Sequence, residues 1–107
     1  MNVKAIDVFT NDERGKVIRE AVTSVEGRSC LQAAFCEPIR RHKEDWERLG
    51  SSQAKWRYDN YTEFSNEVFN NMGNDSYDWE DYADRIIAFD SKKIIVWIYA
   101  IGRLEKQ

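Results

Sequence analysis

Residues 85–101 read Arg85-Ile86-Ile87-Ala88-Phe89-Asp90-Ser91-Lys92-Lys93-Ile94-Ile95-Val96-Trp97-Ile98-Tyr99-Ala100-Ile101, and what this stretch becomes decides the fold. Ile94 to Tyr99 sets six strong β-formers in a row. With Arg85 to Phe89 as a first arm and Asp90 to Lys93 as the turn, the stretch predicts a β-hairpin. A strand apolar on both faces wants cover on both sides, so the second arm is expected at the centre of a sheet. A wholly buried final helix is the other reading, because a short apolar run does not discriminate by period. At the other end, Val3 to Phe9 is short and β-branched at alternate places, and is the natural neighbouring strand.

Between these ends the pattern is helical. Thr10 with Glu13 fits a capping box, after which Val17, Ile18, Ala21, Val22 and Val25 recur at helical spacing and Gly27 offers a stop. A hairpin turning at Asn11 to Gly15 is the rival, but it puts Ile18 and Glu20 on one face. Ser29 to Glu37 suits either a short helix or a buried strand. Pro38 marks a break and opens a helix with Ile39, His42, Trp46 and Leu49 on one face, ended by Gly50-Ser51-Ser52. Tyr58-Asp59-Asn60 offers caps for the next helix, whose face is Tyr61, Phe64, Val68, Phe69 and Met72 and whose stop is Gly73. Helix restarts near Asp78, with Trp79, Tyr82, Ala83 and Ile86 able to share a face. The expected fold class is therefore α+β, three to four helices packed on a small sheet that includes a C-terminal strand or hairpin, with a mostly α chain as the alternative.

A length of 107 residues suits a single globular domain spanning 1–107, and a 42% apolar share with 14 aromatic residues supplies one core. No linker separates two domains. The longest apolar run is eight residues, from Ile94 to Ile101, where a membrane span needs about 20. Met1-Asn2-Val3-Lys4 has no apolar stretch of the secretory kind. The only cysteines are Cys30 and Cys36, and with one histidine they cannot build a four-ligand zinc site. They read as reduced core residues in a cytoplasmic protein with no metal, no cofactor and no membrane partner. The sequons at Asn60-Tyr61-Thr62 and Asn74-Asp75-Ser76 carry no meaning in that compartment.

Charge is uneven. Residues 59–90 hold nine acids against Arg85, a net −8, while the remainder holds fifteen bases and ten acids, a net +5. At the centre lies Asn74-Asp75-Ser76-Tyr77-Asp78-Trp79-Glu80-Asp81-Tyr82-Ala83-Asp84. Like charges at steps of three weaken a helix by a few tenths of a kcal/mol each, roughly, so a purely structural segment gains nothing from them. The composition suits a positively charged partner, with aromatic residues as anchors. Asp75, Asp78, Trp79, Glu80, Asp81, Tyr82 and Asp84 are the expected contact surface. These acids do not follow the offsets of a calcium loop. The bland alternative is that the acids cap and solvate a helix while Trp79 and Tyr82 pack inward.

No catalytic residue is assigned. His42 with Asp45 alone is not a site, and a cysteine nucleophile at Cys30 or Cys36 would need His42 close in space and a cationic or helix-N-terminal setting. An enzyme would have to work through paired carboxylates, whose convergence spacing cannot show. Arg40, Arg41, Lys43, Lys55 and Arg57, with Trp56 and Tyr58 interleaved, suggest a second class, a small nucleic-acid-associated regulator. A pI near 5.2 and the acids Glu37, Glu44, Asp45 and Glu47 on the same helix argue against it. In size, acidity and lack of a catalytic motif the chain resembles bacterial immunity proteins, including those of contact-dependent inhibition systems. The resemblance is one of type and implies an interaction protein that neutralises a basic nuclease-type toxin through its acidic-aromatic surface.

Overall fold

A computed structural model of the chain describes residues 11–89, which form four helices: α1 (Asn11–Ala21), α2 (Val25–Leu49), α3 (Ser52–Asn70) and α4 (Trp79–Phe89). Local chemistry sets most of the boundaries. Ser24 sits in extended backbone and its hydroxyl accepts from the Gly27 amide at 3.0 Å, starting α2. Gly50 takes the left-handed conformation, φ 66°, and its amide donates to the Trp46 carbonyl, ending α2. Ser51 at once caps α3 by accepting from the Ala54 amide at 3.1 Å. So short a reversal forces α2 and α3 to run antiparallel. Their contacts follow: Phe35 meets Phe64 with ring centres 6.2 Å apart, His42 stacks on Tyr61 at 5.8 Å, and Trp46 meets Tyr58 at 6.0 Å.

The other two helices close the core. α1 packs on α2 and α4, burying Ile18, Ala21 and Val22. α4 reaches α3 through long side chains. Tyr82 lies edge-on to Phe64 at 6.0 Å and its hydroxyl donates to the Phe64 carbonyl at 2.6 Å, while Phe89 packs against Trp56, Tyr61 and Phe64. The shared face expected of Trp79, Tyr82, Ala83 and Ile86 is buried as a unit. None of the helices among the described residues is long and apolar enough to cross a membrane.

The described residues contain no strand, so the α+β expectation with a small sheet gives way to an all-α architecture. Arg85 to Phe89, expected as the first arm of a hairpin, is the last turn of α4. Ile86 continues the 3.6-residue stripe begun by Trp79, Tyr82 and Ala83, and burial along that stripe overrides the β preference of an Ile-Ile pair. The strand readings at 3–9 and 94–101 lie outside the described residues, as does Thr10 of the expected capping box.

Three boundaries also move. α1 ends at Ala21, and Gly27, expected as its stop, lies in the first turn of α2. The Pro38 break does not occur. Pro38 offers no amide to the carbonyl four residues back, a fault of ~3 kcal/mol. Yet α2 runs through it because Leu31, Ala34, Phe35, Pro38 and His42 are all buried along one side, and each large apolar group contributes about 1.5–3 kcal/mol. α3 starts at Ser52, ahead of the caps expected at Tyr58 to Asn60, and leaves Phe69 exposed.

Candidate functional site

The acidic stretch spans the α3–α4 connection and the first two turns of α4. The connection is a series of tight turns. The Asn74 side-chain oxygen accepts from the Ser76 amide at 3.1 Å, and the Asn74 carbonyl accepts from both the Tyr77 amide and the Trp79 indole nitrogen, the latter at 2.8 Å. Asp78 then caps α4, accepting from the Asp81 amide at 3.1 Å. Its carboxylate and those of Glu80 and Asp81 stand at the positive end of the helix, which lowers the cost of crowding them.

Opposite this connection is the α1–α2 turn, and between the two lies a cleft of about 600 Å³. Asp75, Asp78 and Glu80 line it from the α3–α4 side and Arg19, Val22 and Thr23 from the α1–α2 side, and the buried Trp79 and Arg28 complete the lining. Arg28 ties the two walls together. Its Nε donates to the Val22 carbonyl at 2.9 Å, while Nη1 donates to the Met72 carbonyl at 3.0 Å and to Asp75 at 2.9 Å. The guanidinium lies 4.4 Å from the centre of the Trp79 ring. Arg28 is only 2% exposed, yet its carboxylate partner Asp75 is 83% exposed.

The predicted contact surface therefore divides in two. Asp75, Asp78, Glu80, Asp81 and Asp84 are exposed, whereas Trp79 and Tyr82 are buried. Trp79 lines the cleft, whereas the bond to Phe64 commits Tyr82 to the core, where burial pushes its phenol pKa up and the nearby Glu67 charge adds to the rise. The acids are held one by one: Asp84 by Arg19 at 2.8 Å, Asp81 by Arg85 at 2.9 Å, and Asp75 by Arg28. Among the described residues, Asp78 and Glu80 form no ion pair. Asp81 belongs to a second network in which Arg85 also grips Glu67, and Tyr77 donates to Glu67. The Arg85 hydrogen bonds hold the Glu67 carboxyl below its ordinary value, with Tyr77 adding to the effect, and Glu67 in turn raises the Tyr77 phenol.

Three of the five basic residues of the second reading, Arg40, Arg41 and Lys55, are drawn into ion pairs along their own helices. Arg40 bonds to Glu37 and Glu44, Arg41 to Glu37 at 2.9 Å, and Lys55 to Asp59 at 2.9 Å while lying 5.1 Å from the Trp46 ring. Arg57 is half-buried, Lys43 is exposed, and Trp56 turns one side onto Phe89 at 4.8 Å. His42 is a core residue against Tyr61. No group of three potential ligands among the described residues could hold a metal ion.

Sequence reasoning missed Arg28, Arg19 and the Glu67–Tyr77–Arg85 network. Arg28 had a readable signal. It falls at i, i+3, i+7, i+10 and i+14 with Leu31, Phe35, Pro38 and His42, so it is a charge on the apolar stripe of α2. Reading Gly27 as a stop hid that register. Arg19 and Glu67 carry no such signal, since their partners are 65 and 18 residues away. Comparison with protein families, curated proteins and solved structures finds no match to this chain.

Proposed function

We propose that this protein is an interaction module that receives a basic protein partner at the acidic wall of the α1–α2/α3–α4 cleft. In its sharpest form it is an inhibitor of the immunity type, which neutralises a basic nuclease-type toxin by covering the rim of a cleft built for phosphates. The observation that carries the reading is the placement of Asp75, Asp78 and Glu80 on one wall of one cleft, all exposed and two of them at a helix start. Three exposed acids against the two arginines of the lining leave the cleft net negative, and a net negative surface speeds encounter with a cation-rich partner. Trp79 enters this reading as a buried part of the cleft lining rather than as an inserted anchor. The acids steer the partner, and complementary contacts fix its register.

The test uses the full chain as bait, followed by association kinetics with the identified, purified prey. The expected prey is basic, and Asp75→Asn, Asp78→Asn and Glu80→Gln combined slow its association at least about tenfold at low salt, with the difference closing at high salt. Acidic prey, or an association rate untouched by the triple substitution, ends the proposal.

A further inference from the structure

The burial asymmetry at Arg28 has a functional consequence. A guanidinium keeps its charge at any working pH, so one that is 2% exposed must keep a countercharge within reach. Among the described residues that countercharge is Asp75 alone; its other acceptors, the Val22 and Met72 carbonyls, are neutral. Asp75 spends one oxygen on Arg28 and presents most of its side chain to solvent on the cleft wall. One exposed carboxylate therefore serves both the buried cation and whatever arrives from outside. The same guanidinium joins the end of α1 to the α3–α4 connection and underlies the Trp79 indole, so weakening its pairing loosens both walls.

We propose that the Arg28–Asp75 pair is a charge-exchange latch: a cationic side chain of a partner that engages Asp75 competes with Arg28 for it, and so releases the junction between the α1–α2 turn and the α3–α4 connection. The latch rests on the basic-partner reading and adds to it a defined change in the protein. Two cations sharing one carboxylate repel each other, and the inner one has less water to screen it. The outcome is local opening, confined to the cleft walls, while the α2–α3 hairpin keeps its aromatic contacts.

Amide hydrogen exchange on the full chain reads this directly, because the walls carry hydrogen-bonded reporter amides: Val22 to Ile18, Asn74 to Asn71, Tyr77 to Asn74 and Trp79 to Tyr77. Asp75→Asn is expected to speed exchange at these four by about tenfold while amides in the middle of α3 stay within twofold. Asp75→Glu, which keeps the charge, restores protection in large part, and Glu63→Gln, at an exposed acid outside the cleft, leaves it unchanged. Octa-arginine peptide added to the wild type raises exchange at the same four amides, and adds nothing further in Asp75→Asn. Unaltered protection in Asp75→Asn overturns the latch. So does octa-arginine that shifts the Asp78 and Glu80 resonances without loosening the walls, a result that leaves the basic-partner reading standing. Octa-arginine that leaves every cleft resonance unmoved overturns both.

Discussion

Gly27→Ala sets two effects of opposite sign against each other. By helix propensity, alanine inside α2 is better than glycine by about 1 kcal/mol. The structure reverses that preference. A Cβ at position 27 falls 2.0 Å from the Ala21 carbonyl oxygen and 2.7 Å from its carbon, both backbone atoms. Restoring a contact of 3.4 Å requires the end of α1 to retreat from α2 by roughly 1.4 Å. Overpacking of this kind costs about 1–3 kcal/mol. The retreat also draws the Val22 carbonyl away from Arg28 Nε, now at 2.9 Å, and loss of that charged, buried hydrogen bond costs about 1.5–3 kcal/mol. After subtracting the propensity gain, the net destabilisation is about 3 kcal/mol, and Tm falls by roughly 10 °C or more. Urea unfolding followed by far-ultraviolet ellipticity measures it, with an unchanged denaturant slope showing that compactness is preserved. Gly73→Ala is the control: a Cβ there meets nothing within 4 Å, and the expected change is within about 0.5 kcal/mol. A neutral or stabilising Gly27→Ala would refute the close approach of α1 to the first turn of α2, and with it the cleft wall built on that approach.

Tyr82→Phe removes only the hydroxyl that donates to the Phe64 carbonyl, so it should cost about 1 kcal/mol in a urea titration while the near-ultraviolet signature of the aromatic core survives. Glu67, whose carboxyl lies below its ordinary value of about 4.5 because of Arg85, contributes stability that is present above that value and is lost as pH falls through the depressed one. The urea midpoint should therefore drop on acidification below about pH 5, and Glu67→Gln should flatten that drop; an identical pH profile in the variant would count against the Arg85 network. Cys30 and Cys36 are six residues apart on one continuous helix, a rise of about 9 Å, beyond the ~7 Å that a disulfide tolerates. Oxidant should yield no intramolecular bridge by mass spectrometry, and the exposed Cys36 should alkylate ahead of the partly buried Cys30.

The sequence by itself determined features that depend on neighbours along the chain. Gly50 needs no tertiary contact to end a helix, and the Trp79, Tyr82, Ala83, Ile86 stripe announces its own inward face. The local −8 charge is likewise composition, and Asp59, Glu63, Asp75, Asp78, Glu80, Asp81 and Asp84 lie on the outside because burial of unpaired carboxylates is prohibitive. Where a local preference competed with burial, the sequence pointed the wrong way. Pro38 looked like a break and Arg85 to Phe89 like a strand, and in each case packing of one helix face outweighed the intrinsic preference. The cleft was beyond sequence reading. It is made by α1 ending at Ala21, by the approach of Gly27 to that end, and by Arg28 reaching across 44 and 47 residues to Met72 and Asp75. Only the tertiary structure put a buried cation behind the acidic wall, because a long-range ion pair leaves no periodicity in the chain that forms it.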